Sequence, residues 1–404
     1  MIVGIIGGGA AGMTAALAAA EYSDCSVVLM ERQARLGRKL SATGNGRCNL
    51  SNIHASEGGY HSDQPDFHEY ALKQFPPART LDWFSDLGLY TVTEPSGKVY
   101  PYSDQANSVV DILRFALDRD NIEVLTDFEV VKVKKADGRF TVSSQRETVQ
   151  CDKLIVACGG LAGTKLGGTM SGYKLLRSFG HKCTKLRPAL VQVKTGWRGI
   201  AALKGVRANC RAAITCDGVL HRESVGEIQF TELGLSGPVI YEISRDTCHG
   251  GGSWECTMDF LPDLSYDDLL AKLLRRRAGA LTAEDLFTGI LHNRLGRVLV
   301  KEADIRNMTP IRELRDEQIR EAAGYAKHFI LPLTEPLGMD AAQVTAGGIV
   351  THEFEPTTME SKLVPGLYAC GEVLDVDGDC GGYNLQWAWS SGRLAGTSAG
   401  KETI

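Results

Sequence analysis

The sequence predicts an α/β protein in which one nucleotide-binding domain is interrupted by two insertions. Three observations predict it. The chain opens with an apolar run and a glycine pattern that read as a βαβ unit, helical periodicity disappears between about 186 and 262, and βαβ character returns near the C-terminus. At 404 residues the chain is also long for a single hydrophobic core.

Taken in order, IVGII (residues 2 to 6) reads as a buried strand, Gly7, Gly9 and Gly12 form a GxGxxG pattern, and AAGMTAALAAAEY is an alanine-rich helix former. A second apolar run, Val27 to Met30, ends at Glu31. From about 97 to 143 a loop leads into an amphipathic helix, followed by short strands with a turn at Asp137-Gly138. KLIVA (153 to 157) returns to a buried strand that CGGLAG breaks. Between 186 and 262, alternating segments such as LVQVK, EIQFT and WECTMDF fit a small antiparallel sheet or barrel. Residues 263 to 328 carry helix starts at Ser265, Thr282 and Thr309, which predicts a three-helix insert. The segment GLYACGE then brings back a buried strand, and GGYNLQWAWSSGRLAG closes the chain as a helix.

Composition narrows the function classes. With 43% hydrophobic and 23% charged residues and a net charge of -5, the chain is globular and has no basic excess, so nucleic acid and anionic membranes are poor partners. Eleven cysteines, an odd number without a CxxC pair, and a start that lacks a basic export n-region point to a reducing cytoplasm and buried thiols. The apolar run Ala15 to Ala20 is far too short to cross a bilayer.

The glycine pattern gains force from its context between strand and helix. Gly7 allows the tight turn, Gly9 lets a pyrophosphate approach the backbone, Gly12 lets helix pack on strand, and Ala10 and Ala11 offer N–H groups at the helix N-terminus. Glu31, with Arg32 beside it, ends the second strand and suits ribose hydroxyls while repelling a 2'-phosphate, which leaves FAD or NAD. The distant strand ending in Gly371-Glu372 favours FAD, because NAD dehydrogenases usually complete their sheet with further βα units. In flavoproteins of the glutathione-reductase type such a carboxylate serves the ribityl chain, and Glu372 resembles it. Leu154 to Gly160, with Ala157, Gly159 and Gly160, resembles the strand and turn that pass near the nucleotide in those proteins, and Val130 sits where they present backbone to adenine. At the closing helix, Gly382, Tyr383, Asn384 and Leu385 would set N–H groups and a helix dipole against a flavin pyrimidine ring, and Trp387 and Trp389 read as core.

Three long segments in order, GRKLSATGNGRCNLSN, FTELGLSGPVIYEIS and GEVLDVDGDCGGYNLQWAWSSG, resemble the HI0933-like (YhiN-type) family of flavoproteins, and the likeness extends over essentially the whole chain. The resemblance implies an FAD-binding Rossmann-like domain over 1–185 and 341–404, a small β-barrel domain over 186–262 and 329–340, and a helical insert over 263–328. It also implies activities: reduction of a 3-dehydro-bile acid at its Δ4,6 bonds and oxidation of aminoacetone both occur in the family. In the signature loop, Arg38 and Lys39 are expected near the FAD phosphates or adenosine, and Asn45, Arg47, Cys48 and Asn49 near the isoalloxazine.

Flavin N5 can carry hydride itself, so no acid or base triad is required of the protein. Cys48 and Cys380 are within the motifs that approach the flavin, but neither has a closely spaced partner, and packing as small hydrophobes is the commoner role. Tyr100 and Tyr102 are candidate proton donors, with loop anchoring the commoner role. Asp375, Asp377 and Asp379 alternate as in a calcium loop but lack its closing glutamate, so no metal is expected, and His54, His61 and His68 read as surface residues. The expectation is a cytoplasmic FAD-dependent oxidoreductase that reduces a conjugated C=C bond of a small organic substrate, with NADH or NADPH as a transient electron donor. The alternatives are an amine oxidase acting on aminoacetone and a flavin-binding sensor whose partner is a protein or a modified RNA.

Overall fold

The apolar run at the start becomes the central strand of a parallel sheet. The computed structural model describes residues 1–245, 247 and 251–401. They divide into two compact units, Met1–Arg187 with Gln343–Ile404, and Pro188–Ala342.

In the first unit, β1 (Ile2–Ile6), β2 (Ser26–Met30), β6 (Ile122–Leu125), β7 (Lys153–Val156) and β8 (Leu367–Ala369) form a parallel sheet in the order β8-β7-β1-β2-β6. The interior strands are continuous apolar runs because helices cover both faces of such a sheet. Helix α1 (Ala10–Ala19) is buried almost all round. It packs against α3 (Tyr383–Gly400) through a glycine ladder: a Cβ on Gly392, Gly396 or Gly400 would lie 2.4, 2.2 or 2.9 Å from the carbonyl oxygen of Ala11, Ala15 or Ala19. Two helices thus meet backbone to backbone, which explains their small residues. Adding a methyl at Gly396 would force them apart at about 1–3 kcal/mol or more.

A second, antiparallel ribbon in this unit is built from β3 (Ser51–Asn52), β4 (Thr91–Thr93) and β5 (Lys98–Pro101) in the order β3-β5-β4. Helix α2 (Ala106–Ala116) follows it. The expected turn at Asp137-Gly138 joins strands Lys132–Ala136 and Arg139–Ser143, with both turn residues at positive φ.

In the second unit a closed barrel links Val193–Thr195, Gly234–Ser236, Val219–Phe230, Arg207–Cys216, Trp254–Asp259 and Phe329–Pro336. Alternation along Trp254–Asp259 turns Trp254, Cys256 and Met258 inward onto Ile214, Ile228 and Phe230. The helices Tyr266–Arg275, Asn293–Glu302 and Asp316–Lys327 lie in the same unit.

Ser265 caps the first of these as expected, its Oγ accepting from Asp268 N at 3.1 Å. Thr282 and Thr309 do not start helices. Their segments pair with each other, Ala283 N donating to Thr309 O at 2.8 Å, so each propagates only a single 3-10 turn. The helices begin instead after His292, whose Nδ1 accepts from Arg294 N, and after Arg315. Among the described residues, no helix is long and apolar enough to cross a membrane.

Candidate functional site

The glycine turn between β1 and α1 is shaped by backbone contact. Gly7 takes φ +109°, and a Cβ there would sit 2.4 Å from Ala157 O; one on Gly12 would sit 1.8 Å from Gly7 O. Gly9 differs: its φ of -85° is ordinary, and a Cβ would find nothing within 4 Å. Its missing side chain therefore leaves open space in front of α1. The first intrahelical bond is Met13 N to Gly9 O, so the N–H groups of Ala10, Ala11 and Gly12 lack helical partners. Across the turn, Glu31 accepts from Gly8 N at 2.7 Å and from Gln33 N at 2.8 Å. A carboxylate has lone pairs beyond these two, so Glu31 both braces the turn and keeps acceptor capacity. Arg32 reaches Gly167 O at 2.8 Å.

The signature loop is a run of left-handed residues. Gly44 (φ 57°), Asn45 (56°), Gly46 (86°) and Cys48 (60°) all lie in that region, which glycine and asparagine tolerate best. Gly37 N donates to Gly8 O at 2.9 Å and ties the loop's start to the glycine turn. Arg38 bonds Gln33 at 2.8 Å and projects toward solvent. Lys39 Nζ lies 2.8 Å from Glu372 Oε2. Asn49 Oδ1 is buried with no hydrogen-bond partner among the described residues. Such an atom calls for a donor that the described residues do not supply.

Arg47 stacks over the Tyr100 ring at 4.0 Å and pairs with Asp104 at 2.5 Å and Glu94 at 3.3 Å. Burial raises the Tyr100 phenol above its ordinary value. The same cause pushes the fully buried Cys48 thiol up to about 12. Cys48 is therefore a neutral thiol in a packed interior. Cys380 is partly exposed, just before the start of α3. Tyr102 is 77% exposed.

The C-terminal segment meets this loop. Glu372 Oε1 accepts from Thr345 N at 2.8 Å and lies 2.5 Å from where a Cβ on Gly160 would be. Gly159 takes φ +67° and faces open space, and Ala157 N bonds Ile6 O at 2.8 Å. Val130 makes no hydrogen bond through its N–H or carbonyl among the described residues, while the neighbouring Phe128 N bonds Glu31 O at 2.9 Å. Gly382, at φ +106°, crosses Ser51 so closely that a Cβ would lie 2.3 Å from its carbonyl. The Asn384 side chain does not face outward: its Oδ1 accepts from Gly378 N at 2.8 Å and its Nδ2 donates to Gly378 O at 2.7 Å. At the helix start Asn384 thus keeps its backbone, not its side chain, for a ligand.

Several residues that hold the site together escape sequence reading. Gln386 is fully buried and bonds Ser51 Oγ at 2.6 Å, Thr80 Oγ1 at 2.8 Å and Phe75 O at 3.0 Å. Trp387 and Trp389 are core, as expected, and they also brace the site, donating to Gly371 O at 3.2 Å and Leu50 O at 2.9 Å. The signal for Gln386 was available in a side-chain amide set directly before two helical tryptophans. His61 and His68 are only half-exposed, against expectation: His61 bonds Asp379 at 2.8 Å, and His68 packs on the Tyr60 ring.

Open space at Gly9 and Gly159, the unsatisfied N–H groups of α1, the free backbone of Val130 and the orphan Asn49 oxygen fit an elongated dinucleotide with a flat polar-edged ring. The residues present therefore suit FAD. Comparison with known proteins supports the fit. A model described as the HI0933-like protein Rossmann domain matches residues 1–398. The chain is 39% identical over 98% of its length, and 98% of the other's, to a 3-dehydro-bile acid delta(4,6)-reductase of Clostridium scindens. It is 32% identical, over 96% of this chain and 95% of the other, to a ribosomal RNA dihydrouridine synthase of Escherichia coli. A 3-ketosteroid delta1-dehydrogenase from Sterolibacterium denitrificans shares the fold at a TM-score of 0.52 and 13% identity, covering 98% of this chain and 99% of that one. Fold and relatives together define the class, a Rossmann-type flavoprotein oxidoreductase. The chain belongs to the HI0933-like family. The ribosomal RNA relative lends no support to the exclusion of nucleic acid read from the net charge.

Proposed function

We propose that this protein is an FAD-dependent reductase, working in a reducing cytoplasm, that saturates a C=C bond conjugated to a carbonyl in a small organic substrate. The observation that carries this reading is the identity of 39% over nearly all of both chains to a reductase of that bond type. Dihydrouridine formation also saturates a C=C bond conjugated to a carbonyl, so the two relatives agree on the bond while differing in what surrounds it.

When bound, FAD supplies two-electron transfer to the conjugated bond. Gly7, Gly9, Ala10, Ala11 and Gly12 would hold its pyrophosphate through backbone N–H groups, and Glu31 its adenosine ribose. Arg32 and Arg38 would flank the adenosine end, and Val130 would meet adenine through its backbone. Lys39 and Glu372 would serve the chain between the two rings, with Ala157, Gly159 and Gly160 giving it clearance. Asn45, Arg47, Cys48 and Asn49 would border the isoalloxazine on one side, and the backbone from Gly382 to Leu385 would favour negative charge at its pyrimidine edge. Tyr100, protonated at all physiological pH, can donate a proton beside the ring. Cys48 is too deeply buried for a chemical role.

A visible spectrum of the purified protein tests the cofactor, and a missing flavin band after reconstitution with FAD refutes it. Anaerobic stopped-flow then mixes oxidised protein with NADH, NADPH or aminoacetone. Reduction by a nicotinamide followed by reoxidation with a conjugated enone is the expected result. Reduction by aminoacetone alone overturns the reductase reading in favour of an amine oxidase, and no reduction by any donor favours a sensor. The second reading, reduction of uridine in ribosomal RNA, rests on the Escherichia coli relative. Dihydrouridine in RNA treated with the reduced protein would establish it.

A further inference from the structure

One face of the β4–β5 ribbon carries more aromatic surface than the fold consumes. Val92 pairs with Tyr100 and Thr91 with Pro101, and Tyr102 N donates to Tyr90 O at 2.8 Å. Opposed residues share a face and the strand period is two, so Tyr90, Val92, Tyr100 and Tyr102 lie together. Tyr90 and Tyr102 are 75% and 77% exposed and Val92 44%, whereas Tyr100 is covered by Arg47. Lys98 stands on the same face two residues before Tyr100. Its Cε is 3.0 Å from where a Cβ on Gly381 would be, directly before the start of α3. Lys98 is half-buried, and its ammonium has no hydrogen-bond or ion-pair partner among the described residues. A partly desolvated cation without a protein acceptor is placed to donate to one that a ligand brings.

We propose that this face is the substrate platform, with Tyr90, Val92 and Tyr102 packing against a flat, apolar, fused-ring body and Lys98 donating to the carbonyl oxygen conjugated with the reducible bond. The proposal rests on the reductase reading above. An ammonium at that oxygen draws charge toward it and makes the conjugated bond a better electron acceptor. Aromatic side chains supply broad apolar contact for a planar ligand at low entropic cost. An RNA strand fits this face less well. Of the two cations on it, Arg47 is already held by Asp104 and Glu94, which leaves Lys98 alone to meet a phosphate, and the chain as a whole is acidic. RNA binding draws instead on basic groups free to neutralise phosphates.

The test is binding of a 3-oxo-4,6-diene steroid to the oxidised FAD holoenzyme, followed by calorimetry and by the ultraviolet band of the dienone. The wild type is expected to bind it and to shift the band to longer wavelength, the mark of a hydrogen-bonded carbonyl. Lys98→Met abolishes the shift and weakens binding about tenfold, and Lys98→Arg restores part of the shift. Tyr90→Ser with Tyr102→Ser weakens binding by a similar factor and leaves the shift in place, because surface changes leave the fold intact. Variants that bind and shift the probe as the wild type does overturn the platform. So does a wild type that ignores the steroid and binds a short uridine-containing RNA. If the probe binds and shifts as expected but is never reduced by photoreduced holoenzyme, the reductase reading fails and the platform stands.

Discussion

Lys39 Nζ and Glu372 Oε2 are 2.8 Å apart, joining the signature loop to the turn after β8 across nearly the whole length of the chain. Each residue reads separately as a cofactor group in the sequence, and in the structure they form one partly exposed pair. Thr345 N holds the other carboxylate oxygen at 2.8 Å, so the pair is oriented as well as charged. Its position beside Gly160 places it along the wall of the proposed FAD cleft.

Glu372→Gln keeps the shape and loses the charge. Lys39 is then left without its counter-ion, and FAD affinity is expected to fall about tenfold, in line with a charged hydrogen bond worth about 1.5–3 kcal/mol. The ratio of flavin to protein absorbance after dialysis measures it. An unchanged ratio would remove the pair from the cofactor's surroundings.

Gly9 and Gly12 separate folding from binding. Gly12→Ala places a methyl 1.8 Å from Gly7 O, a backbone atom that cannot move aside, and is expected to abolish soluble expression or lower Tm by many degrees. Gly9→Ala meets nothing in the protein and has an ordinary φ, so Tm of the FAD-free protein stays within a few degrees while FAD uptake is lost. Full FAD uptake by Gly9→Ala would show that the open space is not the pyrophosphate's.

Acid sensitivity should centre on a buried imidazole. His181 bonds Glu353 and Ser361, each at 2.9 Å, and stacks on Phe354. Burial holds it below its ordinary value of 6.5, so on acidification the unfolded chain takes up a proton before the folded one does. The stability of this neutral site is whole above about pH 6.5 and is lost as pH falls below it. His68, also lowered by burial, adds a loss of the same sign. Thermal melts of wild type and His181→Gln from about pH 8 down to 5 should show a steeper fall for the wild type. Parallel curves would refute the assignment.

Cys48 should be inert. A thiol pushed up to about 12 and fully buried is almost entirely protonated near neutral pH. Mass spectrometry after iodoacetamide treatment of the native protein should find Cys48 unmodified, with labelling only after denaturation. Rapid native labelling would return it to the list of reactive groups.

Short-range patterns were legible where a local rule governs: the glycine turn, the hairpin at Asp137-Gly138 and the Ser265 cap each follow from a few adjacent residues. Thr282 and Thr309 misled because a good cap residue was outcompeted by backbone pairing between two distant segments. The glycine ladder of α3 was present in the sequence at a spacing of four, yet its meaning depends on which helix it meets.

By itself the sequence determined the kind of protein: a strand, a glycine turn and a helix demand a nucleotide fold because only glycine permits those backbone approaches, and three long motifs carry the family. Only the tertiary structure decided which polar groups remain available. The Asn384 side chain is consumed by Gly378, Lys39 is met by Glu372, and Lys98, which drew no notice in the sequence, has no hydrogen-bond or ion-pair partner among the described residues. Pairing of buried polar groups is settled by neighbours hundreds of residues away, and the free energy of leaving one unpaired is not written in any local stretch of chain.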